Sequence, residues 1–307
     1  MSKLVKIAAI QFKTETVKEM AGSREKVMSE LAGTLDSLSG SGIDLVVTSE
    51  CVEDRVQKME QAERLDRPGR LLQLYQSFAV AEKCHVAGSI KLWNDGKIFN
   101  SIVFIDANGQ ILGHYDKTFL VRGEITTGLQ PGNGPVVVDT AIGRMGGIIC
   151  FDLNFTELMN SYRKLCPEIM VFSSMYHGGL MQAQWAYQLN TFFVSALPRF
   201  GCGILDPFGR PVKLTDCYSA VACATVNLDY IKIHLDHNQY KFSDIERKYR
   251  DEVVIDIPAD IGSALIYSTV PHRTASDIVD EFELIRCKDY FARSIAENNQ
   301  KRSLVLT

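Results

Sequence analysis

Short apolar runs and helix-spaced apolar stripes take turns along this chain. The run from Leu4 to Phe12 reads as a buried strand, and the run from Ile43 to Glu50 reads as a second. Between them the pattern predicts a helix at about 18–38. After them it predicts another near 69–83, where Leu71, Leu72, Leu74, Tyr75, Phe78 and Ala79 recur on one face. Strands follow in close succession, separated by Asn94-Asp95-Gly96 and Ala107-Asn108-Gly109, which is tight-turn chemistry and makes this middle region partly antiparallel. Beyond the apolar run that reaches Cys150, a helix at about 155–164, a strand from Ile169 to Ser173, a helix near 180–190 and a strand from Phe192 to Leu197 restore the alternation. Such an order is α/β, and no internal repeat is visible in it. Ala275 to Asn298, with Ile278, Val279, Phe282, Ile285, Phe291 and Ile295 among charges, reads as one amphipathic helix.

Three reactive side chains stand where predicted strands finish. Glu50 ends the second apolar run, and Lys117 follows the strand launched by the Ala107-Asn108-Gly109 turn. Cys150 ends Ile148-Ile149, with Gly143, Gly146 and Gly147 before it and the start of an amphipathic helix after it, so the thiol sits at a strand-to-helix turn. Strand ends of layered α/β proteins are where binding crevices form. Taken singly, Cys150 reads as a small core residue and Lys117 as a surface charge.

Taken together and in order, the three resemble the nitrilase, or carbon-nitrogen hydrolase, superfamily, whose catalytic set is Glu, Lys and Cys. The resemblance runs from Lys3 to about Asp229. It includes His85-Val86-Ala87-Gly88-Ser89-Ile90, Asn100-Ser101-Ile102-Val103-Phe104, Tyr115-Asp116-Lys117-Thr118-Phe119-Leu120 and Asp206-Pro207-Phe208-Gly209. It implies a four-layer αββα sandwich of two mixed β-sheets, a hydrolase domain over 1–250, and a C-terminal extension over 251–307 that embraces a neighbouring subunit. It also implies a second carboxylate at Glu124, and pocket positions at Tyr176 and His177. The expected assembly is a homodimer or larger even oligomer, with Trp185, Ala186, Tyr187 and Leu189 as apolar anchors.

Composition narrows the partners. The chain has 307 residues, enough for one large α/β domain, and a net charge of −4 with both signs interspersed, so nothing predicts nucleic acid. No apolar run reaches the roughly 18 residues of a membrane span, and the start lacks a secretory apolar segment, which predicts a cytoplasmic protein. Eight cysteines without a C-x-x-C pair argue against zinc and against a disulfide framework. The expected chemistry needs no metal and no organic cofactor.

That chemistry is attack by the Cys150 thiol on an amide or carbamoyl carbon. An ammonium about 4 Å from sulfur is worth roughly 4 kcal/mol at an effective dielectric near 20, so Lys117 is expected to favour thiolate before desolvation is counted. Glu50 is the general base, and the Phe151 N–H with Lys117 holds the oxyanion. Asp152, two residues after the thiol, resembles the amidase and carbamoylase branches rather than the nitrile-cleaving one. Asn154 stands where the resemblance expects an arginine, so it brings no charge to a substrate carboxylate. A catalytically idle binding protein, a nitrile hydrolase and an acyltransferase using the same thiol are the alternatives. A papain-like Cys150–His177 pair would leave Glu50 and Lys117 without a role.

Overall fold

Two glycines side by side on one strand show how the layers stack. In β7 (Gly143–Ile149) a Cβ on Gly146 would lie 3.0 Å from the ring of Tyr162, and one on Gly147 would lie 3.1 Å from the ring of Phe104. Successive strand residues face opposite ways, so β7 carries a helix on one face and another sheet on the other. The computed structural model describes residues 3–12, 24–50, 52–53, 59–198 and 201–305. The expected helical residues 18–23, and Cys51, lie outside the described residues.

Packing divides the chain into residues 5–225 and a second unit built from the residues before 5 and those from 226 onward. The first unit contains two six-stranded sheets. Strands β1 (Leu4–Ile10), β2 (Leu45–Val47) and β3 (His85–Asn94) run parallel, then β4 (Lys97–Ile105) and β5 (Ile111–Asp116) return antiparallel. In the other sheet β7, β8 (Ile169–Ser173) and β9 (Phe192–Ala196) run parallel, and β10 (Gly203–Leu205) and β11 (Pro211–Leu214) return antiparallel. The two halves thus repeat one topology that residue identities do not reveal. The match extends to the turns. Asp106 Oδ1 accepts from the N–H groups of Asn108 and Gln110, and Asp206 Oδ1 accepts from those of Phe208 and Arg210. Each half ends on a strand lent to the other sheet: β6 (Val137–Thr140) extends the second sheet beside β7, and β12 (Val221–Asn227) extends the first beside β1.

Helices α1 (Arg24–Asp36) and α2 (Arg70–Glu82) cover the first sheet. Their buried Val27, Leu31, Leu35, Leu72 and Tyr75 join Ala8, Val46, Val86 and Val103 in one core. Helices α4 (Thr156–Leu165) and α5 (Leu180–Leu189) belong to the second sheet, and the Ser173 hydroxyl donates across to the Thr48 carbonyl at 2.8 Å, tying the inner faces together. The result is the four-layer αββα sandwich of two mixed sheets. The tight turn at Asp95 and Gly96 has φ of 48° and 76°, the doubly left-handed geometry that two-residue hairpins require.

Two expectations need correcting. Trp185, Ala186 and Leu189 are buried in their own chain, with the Trp185 indole N–H donating to the Leu153 carbonyl at 2.9 Å, so they are not anchors for a neighbour. The segment from Ala275 is two helices, α7 (Ala275–Glu281) and α8 (Cys287–Val305). Glu283 adopts φ 47° between them, and Asn238 holds Ile285 through both its backbone N–H and its carbonyl. In this second unit α7 and α6 (Phe242–Tyr249) share a core with β13 (Tyr230–His234), β14 (Val253–Asp256) and β15 (Ser263–Ser268), which form a three-stranded sheet. Among the described residues no helix is long and apolar enough to cross a membrane.

Candidate active site

The strand ends bring Glu50, Lys117 and Cys150 to one end of the facing sheets. Glu50 lies three residues beyond β2 and is 3% exposed. Its Oε1 accepts from the Lys117 ammonium at 3.0 Å and from the Asn100 amide at 2.8 Å, and its Oε2 accepts from the Met175 N–H at 2.9 Å. Burial raises the Glu50 carboxyl above the usual carboxylate range, although Lys117 and Asn100 act in the opposite direction.

Lys117 follows β5 directly and is 1% exposed. Its backbone N–H donates to the Asn100 carbonyl at 2.8 Å, which continues the β4–β5 pairing through the reactive residue. The ammonium also donates to Glu124 Oε1 at 2.9 Å. Burial alone would lower its pKa, but the charges of Glu50, Cys150 and Glu124 outweigh that and raise it, so Lys117 is a fixed cation. Glu124, on the short helix α3 (Arg122–Thr126), has its other oxygen fixed by the Val121 N–H at 2.9 Å. One nitrogen of Asn100 donates to both Glu50 and Glu124, at 2.8 and 2.9 Å, so four side chains form one network. Asn100 is absent from the residues picked out by type. Its signal is a polar residue that, with Ser101, opens the buried stretch of a strand.

Cys150 sits where β7 gives way to a 3₁₀ turn, with φ 48°. Left-handed backbone at a non-glycine residue costs on the order of 1–2 kcal/mol, and here it turns the thiol out of the strand line. Burial and then the Glu50 charge push the thiol up to about 11, against Lys117, the Met175 N–H and the Ser174 hydroxyl. Lys117 acts in the expected direction, toward thiolate, but desolvation and the Glu50 charge exceed it.

Asp152, two residues on and fully buried, accepts three hydrogen bonds. Phe119 N–H donates to Oδ1 at 2.8 Å, while Ile149 N–H at 3.0 Å and the Tyr115 hydroxyl at 2.7 Å donate to Oδ2. Burial pushes its carboxyl up to about 7 in spite of those donors.

Above this buried layer is an aromatic rim. Phe151 packs edge-on to Phe155 at 5.2 Å, and Phe155 stacks on Phe119 at 3.6 Å. The Asn154 amide donates to the Phe151 carbonyl at 2.9 Å and to the Tyr176 hydroxyl at 3.0 Å, which links Phe151 to Tyr176. Tyr176 and His177 are both exposed. His177 Nδ1 accepts from the Gly179 N–H at 3.0 Å, and its ring lies against Gly201.

A protein-family profile, carbon-nitrogen hydrolase, matches residues 6–232. Among curated proteins, the deaminated glutathione amidase of Dictyostelium discoideum is 28% identical over 204 residues, covering 56% of this chain and 70% of that one. The omega-amidase NIT2 of Danio rerio is 24% identical over 263 residues, covering 75% and 91%. Among solved structures, Nit3 of Saccharomyces cerevisiae, a member of branch 10 of the nitrilase superfamily, aligns with TM-score 0.63 at 20% identity, covering 74% of this chain and 91% of that one.

Proposed function

The chain belongs to the carbon-nitrogen hydrolase family, and from that premise we propose that it cleaves a non-peptide C–N bond of a small amide or carbamoyl amine through a Cys150 thioester. The observation that carries this reading is a buried ammonium locked between two carboxylates, Glu50 and Glu124, beside a left-handed cysteine. Its similarity to two amidases favours amides over nitriles.

A thiol that ionises at about 11 does not wait as thiolate, so its proton must leave as sulfur attacks. Glu50 suits that transfer, because a carboxylate whose pKa is raised is a stronger base than an exposed one. The S–C bond forms, the carbonyl electrons move to oxygen, and the Lys117 ammonium with the Phe151 N–H stabilises the oxyanion. Glu50 then returns the proton to the leaving nitrogen, and the C–N bond breaks to release ammonia or an amine. A water attacks the thioester, Glu50 takes its proton, and the thiol leaves reprotonated. Glu124 and Asn100 position Lys117, while Phe151, Tyr176 and His177 border the substrate. Asn154 brings no positive charge and its amide N–H groups are engaged by Phe151 and Tyr176, so a neutral amide suits this rim better than one bearing a carboxylate there.

The test is a panel of neutral amides, amide-bearing acids, carbamoyl amines and nitriles assayed for ammonia release. Cys150→Ala is expected to lose turnover while remaining folded, and mass spectrometry of the wild type is expected to find the acyl adduct on Cys150. Wild-type ammonia release by Cys150→Ala, or an adduct on another cysteine, would sink the assignment. We further propose a homodimer or larger even oligomer in which α8 reaches a second copy. Phe291 and Ile295, 47% and 63% exposed on that helix, support this.

A further inference from the structure

We propose that Asp152 is a positioning residue: its buried carboxylate clamps the turn that carries Lys117 to the turn that carries Cys150. The donors it accepts bracket the reactive positions. Tyr115 and Phe119 lie two residues before and two after Lys117, and Ile149 directly precedes Cys150. The Tyr115 hydroxyl also accepts from the Thr118 N–H at 3.3 Å and meets the Thr118 hydroxyl at 3.0 Å, so the Lys117 turn is wrapped around one fixed oxygen. Among the described residues no other hydrogen bond joins residues 115–119 to residues 149–152. Lys117 is meanwhile tied to Glu50 and Glu124, but neither tie reaches the thiol's own strand. Asp152 is therefore the hydrogen-bonded link between the turn that carries the ammonium and the turn that carries the sulfur.

The donor set explains why this position takes a carboxylate. Both oxygens must accept, and together they meet three donors. An asparagine has one accepting oxygen and would turn its amide N–H₂ toward Phe119 N–H, or toward Ile149 N–H and Tyr115. The mismatch falls on the clamp, in a place with no exposure to relieve it.

This inference rests on reading Lys117 and Cys150 as a catalytic pair, and its test is chosen to be separate from that reading. The probe is iodoacetamide, with alkylation of Cys150 followed by mass spectrometry on the full chain across pH 7 to 9.5, and circular dichroism as the check on folding. If Asp152 positions Lys117, Asp152→Asn moves the ammonium out of place, the thiolate fraction falls, and alkylation slows by about threefold to tenfold as the profile shifts to higher pH. Tyr115→Phe, which keeps the carboxylate and removes one donor, should slow it in the same direction by a smaller factor.

A merely structural role gives the opposite sign. Loosening would expose the thiol, and loss of a negative charge would favour thiolate, so either would speed alkylation. Faster or unchanged alkylation in the two variants overturns the clamp. If Asp152→Asn does not fold, Tyr115→Phe decides alone. Wild-type ammonia release by Cys150→Ala would end the catalytic reading and leave the alkylation result intact.

Discussion

Lys117→Met keeps the length of the side chain and removes the charge that Glu50 and Glu124 share. Turnover should fall at least about a hundredfold, in line with the loss of an oxyanion donor, and the measurement is steady-state ammonia release. Stability falls too, because Glu50 is left buried without its cation, so the assay belongs at a temperature where circular dichroism finds the variant folded. Glu124→Gln keeps an acceptor for the ammonium and should be severe but milder; near-native kinetics in both variants would refute their roles. Asp152 adds a pH dependence. Its carboxyl titrates at about 7 in the folded chain, against about 4 in an unfolded one. Between those values the folded chain keeps a proton that the unfolded chain has lost, so stability falls as pH rises through the window, by up to about 1.4 kcal/mol per unit. That contribution is complete below about pH 4 and gone above about pH 7. Urea unfolding across this range should therefore show a shallower slope for Asp152→Asn than for the wild type, whatever constant offset the amide adds. The placement of Glu50, Lys117 and Cys150 at strand ends was legible. Asn100 and the clamp role of Asp152 were not, since both depend on partners more than 20 residues away in the chain.

At the scale of elements, two glycines test the layering with opposite signs. Gly88 on β3 would bring a Cβ within 2.5 Å of the buried Tyr75 ring, which has nowhere to move between sheet and helix. Gly88→Ala should cost about 1–3 kcal/mol or more through overpacking. Gly33 is exposed on α1 with nothing within 4 Å of its Cβ position, so Gly33→Ala should add about 0.5–1 kcal/mol. Urea midpoints moving down for the first and up for the second are the expected outcome. Apolar spacing was enough to locate α2, α4, α5 and the strands β1 to β5 and β7 to β9, because each buries one stripe or one run, but it did not mark β6 or β10 to β12, short or partly exposed strands such as the wholly exposed β11. It failed at 282–286. The pattern of apolar and charged residues continues across the break between α7 and α8, while the cause of the break lies elsewhere, in Asn238 holding Ile285 and in Glu283 at positive φ. Trp185 was misjudged for a related reason: an amphipathic stripe reports that a face is covered, without reporting what covers it.

For the whole molecule, light scattering should find an even oligomer, and Phe291→Asp with Ile295→Asp should shift it toward monomer without unfolding the chain. A monomeric wild type defeats the assembly, and a double variant that stays fully associated defeats the part given to α8. Truncation is best made after Arg286, because β13, β14, β15, α6 and α7 share a core that an earlier end would cut through. The strands that the two halves lend each other bear on how the protein is made. A ribosome delivers β1 well before the partner on its outer edge, β12, which ends at Asn227. Until that stretch emerges, β1 shows a row of unpaired N–H and C=O groups, a template for pairing with any other nascent chain. The first sheet is thus finished only after every strand of the second has been synthesised, and its early half is the part that most needs shielding during translation.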